Sequence, residues 1–271
     1  MKLLFALASC CLFLNSCSSL PRPGADLKGS SPAEAKAALQ RSAAAHGSPW
    51  KNYRKVEVSY DGEWSTLATK IQPIITDPEF RKSSDEIYQT RSGKVSQLHR
   101  GPGGMKEVTR MRPTQTQVEF NGKRSDDPEV RAAAALVADA YAVFLFGSSW
   151  LLANGEDFSL LPDATFEGDL CQLVVGRVVP GFGNSKEDFF VAWLSKKTGL
   201  LRRFQFSLNG MESTQGADVD VEFSEFRTAA DGSVWPGHFV EWIQRPILTK
   251  AHDWRMTALK LDGRVVFSKA R

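Results

Sequence analysis

From Lys51 onward, apolar and polar residues alternate with a period of two. Val56, Val58 and Tyr60 alternate with Glu57, Ser59 and Asp61, and Phe204, Phe206 and Leu208 with Arg203, Gln205 and Ser207. Val219, Val221 and Phe223 stand in the same way against Asp220, Glu222 and Ser224. Successive strand side chains point to opposite faces, so these runs predict strands with one face in a core and one in water, the habit of antiparallel sheets. Turn signals separate them at Asp61-Gly62, Ser92-Gly93, Asn121-Gly122, Thr198-Gly199, Asp231-Gly232 and Asp262-Gly263, which predicts consecutive hairpins or a meander. The segment from Asp188 to Ser195 is apolar on both faces, Phe189, Val191 and Trp193 on one and Phe190, Ala192 and Leu194 on the other. There the sheet is expected to be covered on both sides.

Two segments follow a helical period instead. Ser31 as N-cap, Pro32 at the first helical position and Glu34 at the third open an Ala-rich helix that runs to His46 and is closed by Gly47 and Pro49. His46, in the last turn, is expected at the surface near the negative end of the helix dipole. The second helix starts at Asp127, Pro128 and Glu129, and carries Val130, Ala134, Val137, Tyr141, Phe144, Leu145, Ser148 and Leu152 at helical spacing. It is apolar nearly all round. Asp139 in its middle would cost about 2.5 to 3.5 kcal/mol at a bilayer centre, so burial against a concave sheet is expected rather than a membrane span.

The amino terminus belongs to neither pattern. Met1 and Lys2 precede an apolar run from Leu3 to Leu14 broken by Ser9, the charged and hydrophobic regions of a secretory signal. About twelve helical residues rise only ~18 Å, short of the ~20 residues a bilayer requires. Leu14, Asn15, Ser16 and Cys17 resemble the lipobox of bacterial lipoproteins, which implies cleavage before Cys17 and acylation of its thiol and new amine. Ser18 after the cysteine implies the outer membrane, facing the periplasm. An ordinary cleaved signal is the alternative reading. Residues 1–16 are then signal, 17–30 a lipidated tether rich in Ser, Pro and Gly, and 31–271 a single domain. Cys10 and Cys11 leave with the signal, so with Cys17 acylated Cys171 has no disulfide partner and is expected to be a buried, inert thiol.

Charge and candidate chemistry narrow the function. The 34 basic and 31 acidic residues are interspersed, which argues against a nucleic-acid surface. His46, His99, His238 and His252 form no HExxH motif, and the adjacent His252 and Asp253 must point to opposite faces of a strand, so no metal site is expected. No nucleophile elbow, Walker loop or dinucleotide fingerprint occurs, so neither a cofactor nor an enzymatic activity is expected. Asp218, Asp220 and Glu222 share a strand face, read as solvated. Gly181-Phe182-Gly183 is read as a loop tip whose exposed aromatic touches lipid or a partner.

A helix ending in Ala45-His46-Gly47, Trp50, the strand Val56 to Tyr60, the hairpin from Val191 to Arg203, and Gly232 with Trp235-Pro236 before Phe239 and Val240 together resemble LolA-like and LolB-like proteins of the bacterial envelope. The resemblance implies a mainly β fold of the α+β class: an incomplete, strongly curved antiparallel β-barrel closed by helices over an apolar cavity. It implies acyl chains as ligands, a membrane held through lipid on Cys17, and a monomer. Tyr141, Phe144, Trp150, Phe189 and Trp193 are the residues expected to line the cavity. A filled barrel serving structure or protein interaction is the alternative, and a hydrolase with an unrecognised site, tested by substitution at His238, His252 and Asp253, the third reading.

Overall fold

A computed structural model describes residues 20–23, 31–214, 216–244 and 248–268. The signal segment and Cys17 lie outside the described residues, as does most of the expected tether. Helices α1 (Pro32–Ala45) and α2 (Pro49–Asn52) precede β1 (Lys55–Trp64), followed by the short helices α3 (Thr66–Ile71) and α4 (Pro73–Thr76). A meander β2 (Ser83–Gln89), β3 (Lys94–Gly101), β4 (Gly104–Met111), β5 (Gln115–Phe120) and β6 (Lys123–Arg124) leads into α5 (Pro128–Phe146) and α6 (Ser148–Asn154). A second meander follows: β7 (Gly155–Phe166), β8 (Asp169–Val178), β9 (Asp188–Ser195), β10 (Leu201–Leu208) and β11 (Ala217–Ser224). After the small ribbon β12 (Arg227–Thr228) and β13 (Val234–Trp235) come β14 (His238–Ile243), β15 (Thr249–Leu261) and β16 (Arg264–Ser268).

The two meanders join into one antiparallel sheet in the order β6-β5-β4-β3-β2-β1-β15-β14-β11-β10-β9-β8-β7, with β16 beside β15. The seam is the pairing of β1 with β15, Val56 opposite Leu261 through Trp64 opposite His252. The sheet curves without closing, and the helices fill its open side, which is the architecture the resemblance implied. Asp61-Gly62 is not a turn, because both lie inside β1. A Cβ at Gly62 would stand 2.8 Å from the Trp254 ring and 2.4 Å from the Asp253 carbonyl, so this glycine admits the neighbouring indole rather than reversing the chain.

Both helices start as read. The Ser31 hydroxyl accepts from the Glu34 amide at 3.4 Å, and Asp127 Oδ1 accepts from the Glu129 amide at 2.8 Å. The second helix does not run unbroken to Leu152: Gly147, at φ +52°, turns the chain between α5 and α6. From Ala133 to Phe146 every residue of α5 is buried, Asp139 included, so a helix apolar on all sides lies inside the protein. Among the described residues no helix is long and apolar enough to cross a membrane. His46 is a correction to the reading above. It is buried, with Nδ1 3.0 Å from the Val234 carbonyl and Nε2 accepting from the Leu201 amide at 3.0 Å, and its burial lowers the imidazole pKa. It ties the end of α1 to two distant strands instead of decorating the surface.

Candidate functional site

The concave side of the sheet meets α5 in a mass of aromatic rings. Phe144 sits at the centre, its centroid 5.3 Å from Tyr141, 5.3 Å from Phe239, 5.9 Å from Phe206 and 6.2 Å from Phe223. Tyr60 and Trp254 extend the cluster toward β1 and β15, and Trp150 with Phe182 extends it toward β10. Most contacts are edge-to-face or tilted, the arrangement the ring quadrupoles favour. Of the five residues expected to line a cavity, Tyr141, Phe144 and Trp150 stand in this interior, in contact with other side chains. Phe182 is a correction: it is fully buried among Trp150, Phe204 and Phe206, so the loop from Pro180 plugs the interior with an aromatic rather than offering it outward.

Phe189 and Trp193 are a second correction. They point to the convex face of β9, while Phe190, Ala192 and Leu194 face inward. Alternation separates the two faces of a strand but does not say which is inside. On the convex face Trp193 packs with Cys171, Leu173, Val175 and Val191, and Leu20, within the expected tether, joins this cluster while Arg22 lies over the Phe189 ring at 5.1 Å. Covering on both faces of β9 is therefore found, and Cys171 is buried, its thiol pKa raised first by that burial. The carboxylates read as solvated also differ: Asp218 and Asp220 are buried, and Asp220 pairs with Arg203.

Two polar clusters penetrate the apolar interior. The first lies beneath α3 and α4. Arg81 follows α4 and is 1% exposed. Its Nη1 donates to the Ile75 carbonyl at 2.9 Å and its Nη2 to the Tyr141 hydroxyl at 2.8 Å. The guanidinium lies over Trp64 at 4.7 Å, Tyr141 at 5.2 Å and Trp254 at 5.7 Å, which are cation–π distances. Beyond Tyr141, His252 Nε2 stands 2.6 Å from Glu241 Oε2. Burial lowers the His252 pKa against the pull of Glu241, and burial next to Arg81 and Lys106 holds His99 well below the ordinary imidazole value. Glu86, which accepts from Ser84 at 2.9 Å and from Tyr88, has its carboxyl pKa raised by burial. Lys106 pairs with Asp77 at 2.6 Å. Trp64 and His252 also border a groove of about 790 Å³ whose other walls include Asp61, Glu63, Lys82 and Arg255.

The second cluster fastens the plug. Asp139 on α5 accepts from Arg110 Nε at 3.1 Å and Nη2 at 2.8 Å, and from the Gly183 amide at 2.9 Å, with Arg112 Nη1 2.9 Å away. One carboxylate thus holds β4, α5 and the plug loop together. Asp188 secures the other side of the loop, accepting from the Phe182 amide, Ser207 and Asn209. Burial pushes the Asp188 pKa up to about 6, although these hydrogen bonds pull it down.

Because this folded pKa lies above the unfolded one, the contribution of Asp188 is fully present below about pH 4 and is lost as pH rises through 6. The loss amounts to about 2–3 kcal/mol. Urea unfolding should therefore show stability falling between pH 4 and 6.5, and Asp188→Asn should flatten that slope.

No family model matches the chain, and no curated protein matches it in sequence. Among solved structures it is similar to a DUF1329 family protein from Desulfovibrio piger, at 12% identity over 84% of this chain and 93% of that chain, with a TM-score of 0.49. A LolA superfamily protein from Nitrosomonas europaea is similar at 10% identity over the same shares, with a TM-score of 0.47. An outer membrane lipoprotein-sorting protein domain from Vibrio parahaemolyticus is similar at 11% identity, again over 84% and 93%, with a TM-score of 0.45.

Proposed function

We propose that this chain is an envelope lipoprotein, anchored to the outer membrane by lipid on Cys17, whose half-barrel receives the apolar chain of a lipid between α5 and the concave face of the sheet. The observation that carries the reading is the make-up of that interior. A helix buried on every side from Ala133 to Phe146 faces an aromatic and aliphatic surface supplied by β1, β9, β10, β11, β14 and β15, while the inward positions of β2 to β4 carry the polar clusters. Of the two short helices α3 and α4, α3 exposes Leu67 and Ile71 at 44% and 48%, whereas α4 is held by Arg81 on the Ile75 carbonyl. A lipid chain enters by displacing rings, with α3 and α4 swinging outward. Apolar concavities in barrel mouths are a common setting for small ligands.

One observation favours a second reading, an anchored scaffold or interaction protein: the rings around Phe144 touch one another, so the interior is already occupied by side chains. The two readings separate in one experiment. The full chain, extracted in mild detergent, is examined by native mass spectrometry and titrated with a fluorescent fatty-acid analogue. Copurified lipid or saturable probe binding is expected; absence of both leaves the scaffold. Anchoring is checked independently, since Cys17→Ser should release the protein from the membrane fraction.

A further inference from the structure

Arg81 presents an unusual electrostatic situation. Its guanidinium is buried, yet among the described residues no carboxylate stands within ion-pair distance of it, and its partners are a phenol and a backbone carbonyl. A charge withdrawn from water normally requires an opposite charge or a full set of hydrogen bonds. Here Nε makes no hydrogen bond. Around it, the indole N–H groups of Trp64 and Trp254 are buried and likewise without acceptors. Both of these rings lie within 6 Å of the guanidinium carbon. Three buried donors, one of them cationic, thus stand in one neighbourhood without acceptors.

The charges nearby limit which group fits. Lys106 is matched by Asp77, and Glu241 is engaged by His252. Glu86 is satisfied by Ser84 and Tyr88. Among the described residues Arg81 makes no ion pair, and the buried Glu86 carboxylate that feels its charge is occupied by Ser84 and Tyr88; one further negative charge fits there better than a doubly charged phosphate, which would face Glu86 and Glu241 in a medium of low dielectric. A carboxylate also matches the planar guanidinium and its fork of donors. A tail that displaces rings from beside Arg81 enters apolar surroundings, because Tyr141 touches both the Arg81 guanidinium and the rings of Phe144 and Phe239.

We propose that the ligand of the half-barrel is a long-chain carboxylate, its head held by Arg81 with the indoles of Trp64 and Trp254, and its chain running along α5. This rests on the lipid-binding reading above and adds the head group to it. Trp64, whose ring lies over the Arg81 guanidinium, also borders the groove it shares with His252.

The test compares dodecanoate with dodecan-1-ol, which shares the chain and lacks the charge, by displacement of a fluorescent fatty-acid analogue from the full chain at pH 7.5. Dodecanoate should bind at least about tenfold more tightly, the scale of a hydrogen bond to a charged group. Arg81→Gln should bring the carboxylate down to the level of the alcohol and leave the alcohol unchanged. Trp64→Phe keeps a ring and removes one donor, and should reduce the preference by a smaller factor; it decides the matter if Arg81→Gln does not fold. Equal binding of the two ligands by the unaltered protein, or a preference that survives both substitutions, overturns the head-group assignment while the lipid reading stands. Failure of the unaltered protein to bind either ligand overturns the lipid reading and this inference with it.

Discussion

Asp139→Ala is expected to destabilise the protein by about 3–5 kcal/mol, measured as a lower urea midpoint with little change in slope. The side chain removed is 1% exposed, and Arg110, its bidentate partner, is fully buried. Deleting the carboxylate leaves that guanidinium without its counterion, and Arg112 and the Gly183 amide lose the same acceptor. The effect is one of stranding a charge rather than of losing an attraction, because two ions taken out of water together gain little over an apolar pair of similar volume. The double replacement Asp139→Leu with Arg110→Met should therefore recover a large part of what Asp139→Ala loses. If the single substitution costs less than about 1 kcal/mol, the carboxylate does not fasten the plug loop.

Phe144→Ala is expected to cost a similar amount, about 3–5 kcal/mol, by a different mechanism. Phe144 is 2% exposed and is surrounded by rings contributed by β10, β11, β14 and its own helix, which are held by their strands and cannot close over the space. The penalty combines lost burial with the void left behind. The same void tests the proposed function, because an apolar space beside α5 should raise affinity for a short-chain fatty probe while thermal stability falls. A variant that loses stability and gains no probe binding would place the weight on the scaffold reading.

Much of the fold was legible because it is written in local periods. The alternation at Val56 to Tyr60, Phe204 to Leu208 and Val219 to Phe223 is realised in β1, β10 and β11, and the caps at Ser31 and Asp127 act where they were read. The site was far less legible. Tyr141, Phe144 and Trp150 could be picked as large apolar residues on an all-apolar helical segment. Phe189 and Trp193 carried the same signal on a strand whose two faces are chemically alike, and the symmetry hid which face was inward. Phe182, between two glycines, looked like an exposed tip; its burial depends on Asp139 and Asp188 gripping the loop backbone from elsewhere in the chain. Arg81 gave no local signal at all. A lone arginine before a polar strand reads as surface, and only the arrival of Trp64, Tyr141 and Trp254 around it makes it the centre of a buried cluster.

By itself, then, the sequence determined which stretches are strands and helices, where the helices begin, that the longest helix is buried, and that the strands form antiparallel hairpins. These depend on residues a few positions apart, and backbone geometry converts their spacing directly into faces and caps. Tertiary structure alone decided that β1 meets β15 to join two meanders, which face of β9 looks inward, and that Arg81, Tyr141, Glu241 and His252 converge. Those outcomes depend on groups far apart along the chain. Their interactions acquire strength only after the intervening sheet has curved and excluded water, so no window of sequence contains them.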